Sequence, residues 1–283
     1  MATFTNRATL SYSGRTTDSN VVTGTVTETL SVTKTALTNT YSAFGRQTYV
    51  ISLVNTGTVP YTGLTVTDDL GAYTEGTSTY YPLAYTENSL RYYVNGILQA
   101  APTVAATQPL TVSGITVPAG GNALLVYETD LTGLAPLDAA GQITNTATVT
   151  GAGLTTPVAD SETVNAAADA DLTITKALSP TVVPENGTIT YTFTIQNFGN
   201  TDAVATDDVT VTDTFDPVLS DLTVTYQGTA WAEGVNYNYD PATGVFSTVP
   251  GQITVPAATY TRSETGEWIV NPGAVTLTVT GTI

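Results

Sequence analysis

Only two lysines occur in this sequence, Lys34 and Lys176, and they hold the same place in two similar segments, LSVTKTA (30–36) and LTITKAL (172–178). Both segments alternate apolar and polar residues at period two, the pattern of a strand with one buried face. The parity Leu30, Val32, Lys34 puts the first amine on that face, and Leu172, Ile174, Lys176 puts the second there. A carboxylate obeys the same rule further along each repeat, through Leu64, Val66, Asp68 and through Val209, Val211, Asp213. Asparagine completes the first set in the series Ile143, Asn145, Ala147, Val149, and the second in the series Phe4, Asn6, Ala8, Leu10.

Desolvation lowers the pKa of a lysine and raises that of a carboxyl group, so a buried pair can exist as neutral amine and protonated acid. A neutral amine is a nucleophile. With an asparagine amide beside it, the acid can polarise the amide carbonyl and shuttle protons while the lysine attacks, ammonia leaves and an isopeptide bond forms. On this reading Asp68 and Asp213 are the proton shuttles, Lys34 and Asn145 form an intramolecular crosslink, and Lys176 and Asn6 form an intermolecular one. Such a bond constrains the unfolded chain as a disulfide does, worth ~2 to 4 kcal/mol. The same residues also suit a plain buried ion pair, with the asparagine satisfying leftover hydrogen bonds.

Other chemistries are closed off. The 283 residues include no Cys and no His, which removes disulfides, thiolate and imidazole metal sites, and histidine acid-base catalysis. Seven Lys plus Arg against 24 Asp plus Glu give a formal charge of −17, unsuited to nucleic acid or an anionic membrane. No apolar run approaches membrane-spanning length, and MATFTNRATLSYSG lacks the basic start and apolar core of a signal peptide. No cofactor or metal is expected. Acidic pairs such as Asp207-Asp208 lack a regular ligand spacing and read as solvated turns.

The elements that must position these groups are strands. TYVISLVNTGT (48–58) recurs as TYTFTIQNFGN (190–200), LTVTDDL (64–70) as VTVTDTF (209–215), and ITVPAGG (115–121) as ITVPAAT (253–259). Such repetition, with Gly, Pro, Asn and Asp between β-branched runs, predicts an all-β protein of two tandem immunoglobulin-like β-sandwiches. Asn95-Gly96 and Asn186-Gly187 read as tight hairpin turns. The expected divisions are an N-terminal donor strand and linker at 1–19, a complete repeat at 20–155 and a second repeat at 156–283.

The second repeat lacks a counterpart of ITNTATVT (143–150), yet TNRATLSYSG (5–14) aligns with TNTATVTGAG (144–153) at Thr5, Asn6, Ala8, Thr9 and Gly14. A sandwich short of one strand exposes an edge and part of its core, and both favour capture of an added strand. A linker of about a dozen residues reaches at most roughly 45 Å, nearly all of which folding back along a whole domain would use. Donation to a neighbouring copy is therefore expected, head to tail and open-ended.

Taken together, TITKALSP, GTITYTFTIQNFGNTDA, VTVTDTF and ITNTATVTG are similar to the surface-protein repeat known as domain of unknown function number eleven. The resemblance implies an immunoglobulin-like sandwich used structurally on bacterial or archaeal surfaces. The chain departs from that pattern in placing Asn-Arg-Ala at its start and no Asn-Thr-Ala in the second repeat. The expected function is a non-enzymatic subunit of a self-assembling cell-surface or spore-surface fibre, with itself as partner. The rival expectation is a monomeric stalk or adhesin fragment. An enzyme acting on polysaccharide would need two exposed carboxylates across a cleft, and the strongest acidic candidates here point inward.

Overall fold

A computed structural model describes residues 2–26 and 29–283 of the chain. Period-two alternation becomes strand over most of the chain, because a pleated strand turns successive side chains to opposite faces, but in VTVTDTF (209–215) only Thr212–Thr214 is strand, and in ITVPAAT (253–259) Val255 makes an isolated bridge. The first four strands are β1 (Ala2–Asn6), β2 (Thr9–Tyr12), β3 (Arg15–Asp18) and β4 (Val22–Val26). They form one long hairpin, β1 against β4 and β2 against β3. Ser13 and Gly14 close it at φ 46° and 72°, the left-handed pair that a two-residue hairpin turn requires.

The first sandwich follows. It contains β5 (Leu30–Ala36), β6 (Thr40–Tyr41), β7 (Arg46–Asn55) and β8 (Tyr61–Asp68). Next come a side hairpin, β9 (Tyr73–Glu75) and β10 (Ser78–Tyr80), and then β11 (Leu83–Tyr85), β12 (Arg91–Val94) and β13 (Ile97–Gln99). It ends with β14 (Thr103–Thr107), β15 (Leu110–Val117), β16 (Asn122–Leu131), β17 (Gln142–Thr150) and β18 (Val158–Ala166). One sheet has the order β13-β12-β16-β7-β5 and the other β14-β15-β8-β17-β18-β6. Leu30, Val32, Ile51, Leu64, Val66 and Val149 fill the space between them.

The second sandwich is built from β19 (Leu172–Ser179), β20 (Thr188–Asn197), β21 (Thr212–Thr214), β22 (Ser220–Tyr226) and β23 (Thr229–Trp231). It continues with β24 (Tyr237–Asp240), β25 (Val245–Thr248), an outlying hairpin β26 (Thr259–Arg262) and β27 (Trp268–Asn271), and β28 (Gly273–Thr282). Its sheets run β19-β20-β28-β22-β23 and β21-β25-β24. Phe193, Phe215, Phe246 and Leu277 anchor its core. The chain is thus all-β, two tandem immunoglobulin-like sandwiches.

Three expectations change. The division expected after residue 155 falls after Asn165, because β18 pairs along β17 from Gln142↔Asn165 to Val149↔Val158 and so belongs to the first unit. Of residues 1–19, expected as a lone donor strand and linker, the described residues 2–19 instead form most of the hairpin, since the Ser13-Gly14 turn lets β1 and β2 pair locally. Asn186-Gly187 is not a tight hairpin turn but the end of the longer connection from β19 to β20. Gly187 closes a turn onto the Pro184 carbonyl and leads into β20, while Asn95-Gly96 does link β12 to β13.

Candidate functional site

In the first sandwich, β5 carries Lys34, β8 Asp68, β7 Tyr49, β16 Tyr127 and β17 Asn145, all on inward parity. The Lys34 and Asp68 side chains are 0% and 1% exposed. Lys34 Nζ donates to Asp68 Oδ2 and, at 2.7 Å, to the Tyr127 hydroxyl. The same hydroxyl donates to Asp68 Oδ2. Below the amine lie the two tyrosine rings, 4.6 Å from Nζ for Tyr49 and 5.4 Å for Tyr127, stacked at 5.9 Å. The other carboxylate oxygen accepts the Leu70 amide at 3.0 Å.

Strand β17 is held in place beside this group. Asp69 Oδ1 accepts the Thr146 amide at 2.8 Å and the Gly71 amide at 2.9 Å, fixing the residue next to Asn145. Asn145 is fully buried, and its side-chain amide, within reach of the Tyr49 and Tyr127 hydroxyls, makes no well-formed hydrogen bond among the described residues. A buried amide left in that condition costs about 1–3 kcal/mol, so its presence asks for an explanation. The explanation must involve its neighbours.

Burial holds the Lys34 amine below its ordinary pKa, against the opposing pull of the Asp68 charge. Burial likewise pushes the Tyr127 and Tyr49 hydroxyls up, with Asp68 adding to the effect. The Asn145 amide is close enough to work in the opposite sense on both. Both phenols therefore keep their protons, and Tyr127 serves Asp68 as a donor. The arrangement can present an amine with its proton removable, an acid beside it and an amide without a well-formed hydrogen bond.

The second sandwich repeats half of this. Lys176 Nζ donates to Asp213 Oδ2, with the amine 4.4 Å from the Tyr191 ring and 5.4 Å from Phe193 and Phe215. Here the two side chains are 40% and 18% exposed. Tyr191 corresponds to Tyr49, and Val279, opposite Tyr191, occupies the place that Tyr127 takes opposite Tyr49. Where β8 has β17 on its free side, β21 pairs only with β25 among the described residues. The remaining sequence-derived residues, Phe4, Asn6, Ala8 and Leu10, lie on the N-terminal hairpin, opposite Gly24, Val22, Ser19 and Thr17. All four are exposed.

The structure brings together Lys34, Asp68 and Asn145, and separately Lys176 and Asp213. Tyr49 and Tyr127 are additions that parity alone offered, through Tyr49, Ile51, Leu53 and Ala123, Leu125, Tyr127, but aromatic residues on an inward face ordinarily mean packing. Asp207 Oδ2 accepts the Val204 amide at 2.7 Å, a turn rather than a ligand position. Removing only the Tyr127 hydroxyl, by Tyr127→Phe in an Asn145→Ala background, should lower stability by about 1–3 kcal/mol because buried Lys34 and Asp68 lose their shared partner. Urea denaturation of the single and double variants measures it.

No family model and no curated protein matches the sequence. Among solved structures, 96% of the chain is similar to 73% of the major pilin subunit of Bacillus cereus, at 14% identity and a TM-score of 0.36. Similarity to the 35 kDa C-terminal fragment of a major pilin of Streptococcus agalactiae covers 87% of this chain and 91% of that one, at 10% identity and a TM-score of 0.34. The collagen-binding domain of a Staphylococcus aureus adhesin matches 50% of this chain over 99% of its own length, at 14% identity and a TM-score of 0.32.

Proposed function

We propose that this chain is a structural subunit of a cell-surface or spore-surface fibre, in which the N-terminal segment of one copy completes the second sandwich of the next. Its sandwiches are read as modules similar to domain of unknown function number eleven, and its only chemistry is on itself. The observation that carries the proposal is the contrast between two equivalent lysine and aspartate pairs. One is sealed beneath a strand bearing Asn145, and the other lies open beside a strand edge. Residues 5–14 carry the Thr-Asn-x-Ala-Thr pattern of the sealing strand.

Each completed site would then form its crosslink. The neutral amine of Lys34 attacks Cγ of Asn145, a C–N bond forms, and the carboxyl group passes a proton to the departing nitrogen, which leaves as ammonia. The aspartate recovers its proton from the attacking nitrogen and is unchanged. This reaction consumes the amide that makes no well-formed hydrogen bond. Lys176 and Asn6 would react in the same way between copies.

Boiling assembled protein in detergent tests the proposal. A ladder of covalent multimers is expected, and Asn6→Ala or Lys176→Ala should each abolish it while leaving a subunit still one ammonia lighter than its sequence. The local pairing of β1 with β4 favours the rival reading, a monomeric stalk or adhesin module. A clean monomer in size-exclusion chromatography over a wide concentration range would replace the fibre by that stalk.

A further inference from the structure

We infer that what one copy hands to the next is the whole N-terminal hairpin, both long strands, rather than β1 and β2 alone; this rests on the fibre reading above. In the first sandwich, β17 does not cover the lysine strand by itself. Its hairpin partner β18 reaches that strand directly, the Lys34 backbone amide donating to Asp160 Oδ2 at 2.7 Å. Val164 of β18 is fully buried. On its far side β18 is flanked by β6, and the Asn165 amide donates to the Asn39 carbonyl at 2.9 Å.

Over β1 and β4 the N-terminal hairpin has the same register, and it shifts by one residue at β2 and β3, where Thr9 faces Asp18. Ile143, Asn145 and Thr144 face Val164, Glu162 and Thr163, while Phe4, Asn6 and Thr5 face Gly24, Val22 and Thr23. The outward pair Thr144 and Thr163 joins its hydroxyls at 2.8 Å, and the N-terminal hairpin puts two threonines there as well. On the inward side the Phe4 ring covers Gly24 so closely that a Cβ on the glycine would meet it at 2.3 Å. Phenylalanine and glycine together thus supply the bulk that Ile143 and Val164 supply in the first sandwich.

The acceptor has a matching two-strand gap. A single strand added to β21 extends one sheet, but the inward face of β19, at the edge of the other sheet, still needs a cover. Ile174 of β19 is 53% exposed, whereas Val32 at the equivalent place on β5 is 8% exposed. Lys34 and Gly45 are spaced as Lys176 and Gly187 are, which sets residues 181–183 against 39–41, the segment that flanks β18. Val182 there is 86% exposed in a bend after β19, an apolar residue placed where β6 flanks β18 in the first sandwich.

The test uses a reversible lock. The chain has no cysteine, so Thr5→Cys with Thr23→Cys, Cα partners across β1 and β4, introduces one disulfide on the outward face of the hairpin. Full-length protein, oxidised or reduced, is assembled and examined by electron microscopy beside the wild type. If the hairpin is exchanged as a unit, oxidised and reduced protein form fibres alike. Fibres from the reduced protein but none from the oxidised would overturn the inference and leave strand donation standing. A second variant replaces Val22–Val26 by Gly-Ser repeats of equal length. It should lose fibres completely if β4 is part of the donated unit, and fibres at wild-type yield would overturn the inference. Absence of fibres from the wild type itself would sink the fibre reading together with it.

Discussion

Replacing Asp68 by alanine should unfold the first sandwich under conditions where the wild-type protein stays folded. The Lys34 amine is wholly enclosed, and its direct partners are Asp68 and the Tyr127 hydroxyl. Removing one member of a buried ion pair costs about 3–5 kcal/mol, because the remaining charge has no water to return to. If the lysine sheds its proton instead, the desolvation cost falls but the proton must be given up at neutral pH, which is costly in its own way. On the proposed chemistry the substitution would also remove the proton shuttle, and with it the ~2 to 4 kcal/mol that a crosslink between Lys34 and Asn145 would contribute. Against a domain stability of about 5–15 kcal/mol, the combined loss leaves little margin. In a thermal melt followed by circular dichroism, the fall should be about 10–20 °C or more. Asp68→Asn keeps the shape and an acceptor but cannot shuttle protons, so it should lose less stability while its intact mass reverts to that of the unmodified chain. An Asp68→Ala protein that melts with the wild type and is still one ammonia lighter would refute both the structural and the chemical role.

Deleting residues 1–26 should abolish the proposed polymerisation outright and leave a soluble subunit with an intact first sandwich. The argument is one of unmet burial. Ile174, Leu178 and Val182 are each more than a third exposed, and covering a large aliphatic side chain is worth about 1.5–3 kcal/mol apiece. The hairpin brings Phe4, Leu10 and Val22, also largely exposed. Neither set is large enough to hold two molecules together alone, but backbone pairing along β21 and the isopeptide would add to it. The same deletion permits rescue: a synthetic peptide of residues 1–26 should bind the truncated subunit, cap the second sandwich and raise its melting temperature. With Asn6 present the complex should survive boiling detergent, and with Asn6→Ala in the peptide it should not. Fibres from the truncated subunit, or a peptide that leaves its melt unchanged, would show that the second sandwich does not depend on the N-terminal segment.

The burial of Lys34, Asp68 and Asn145 was legible because strand alternation assigns every second residue to one face, and a polar residue at an apolar parity position stands out. The limits of the first unit were harder to read. On β18 the inward positions are Val158, Asp160, Glu162 and Val164, and the two carboxylates break the apolar pattern that marks a core strand. Asp160 faces inward because it serves the Lys34 backbone amide, a partner no local pattern announces. The hairpin was obscured differently. Residues 5–14 align with a strand whose own turn comes later, at 151–157, so the Ser13-Gly14 pair read as the tail of a strand rather than as a reversal. Tyr127 carries no distinguishing sequence signal because its role lies in its hydroxyl, while its position is that of any packed aromatic ring. Lys176 and Asp213 share the parity of Lys34 and Asp68 yet remain partly open, since parity says which way a side chain points and nothing about what covers it.

The placement of Lys34 on the opening strand of the first sandwich and of Asn145 on its next-to-last strand has a mechanical consequence. If those two residues are joined and the subunits polymerise as proposed, tension along the fibre would pass from β5 straight across to β17, and the residues between them would carry none of it. That sandwich then cannot be pulled open end to end, so it would stretch no further than a rigid link and would lose no length under repeated load.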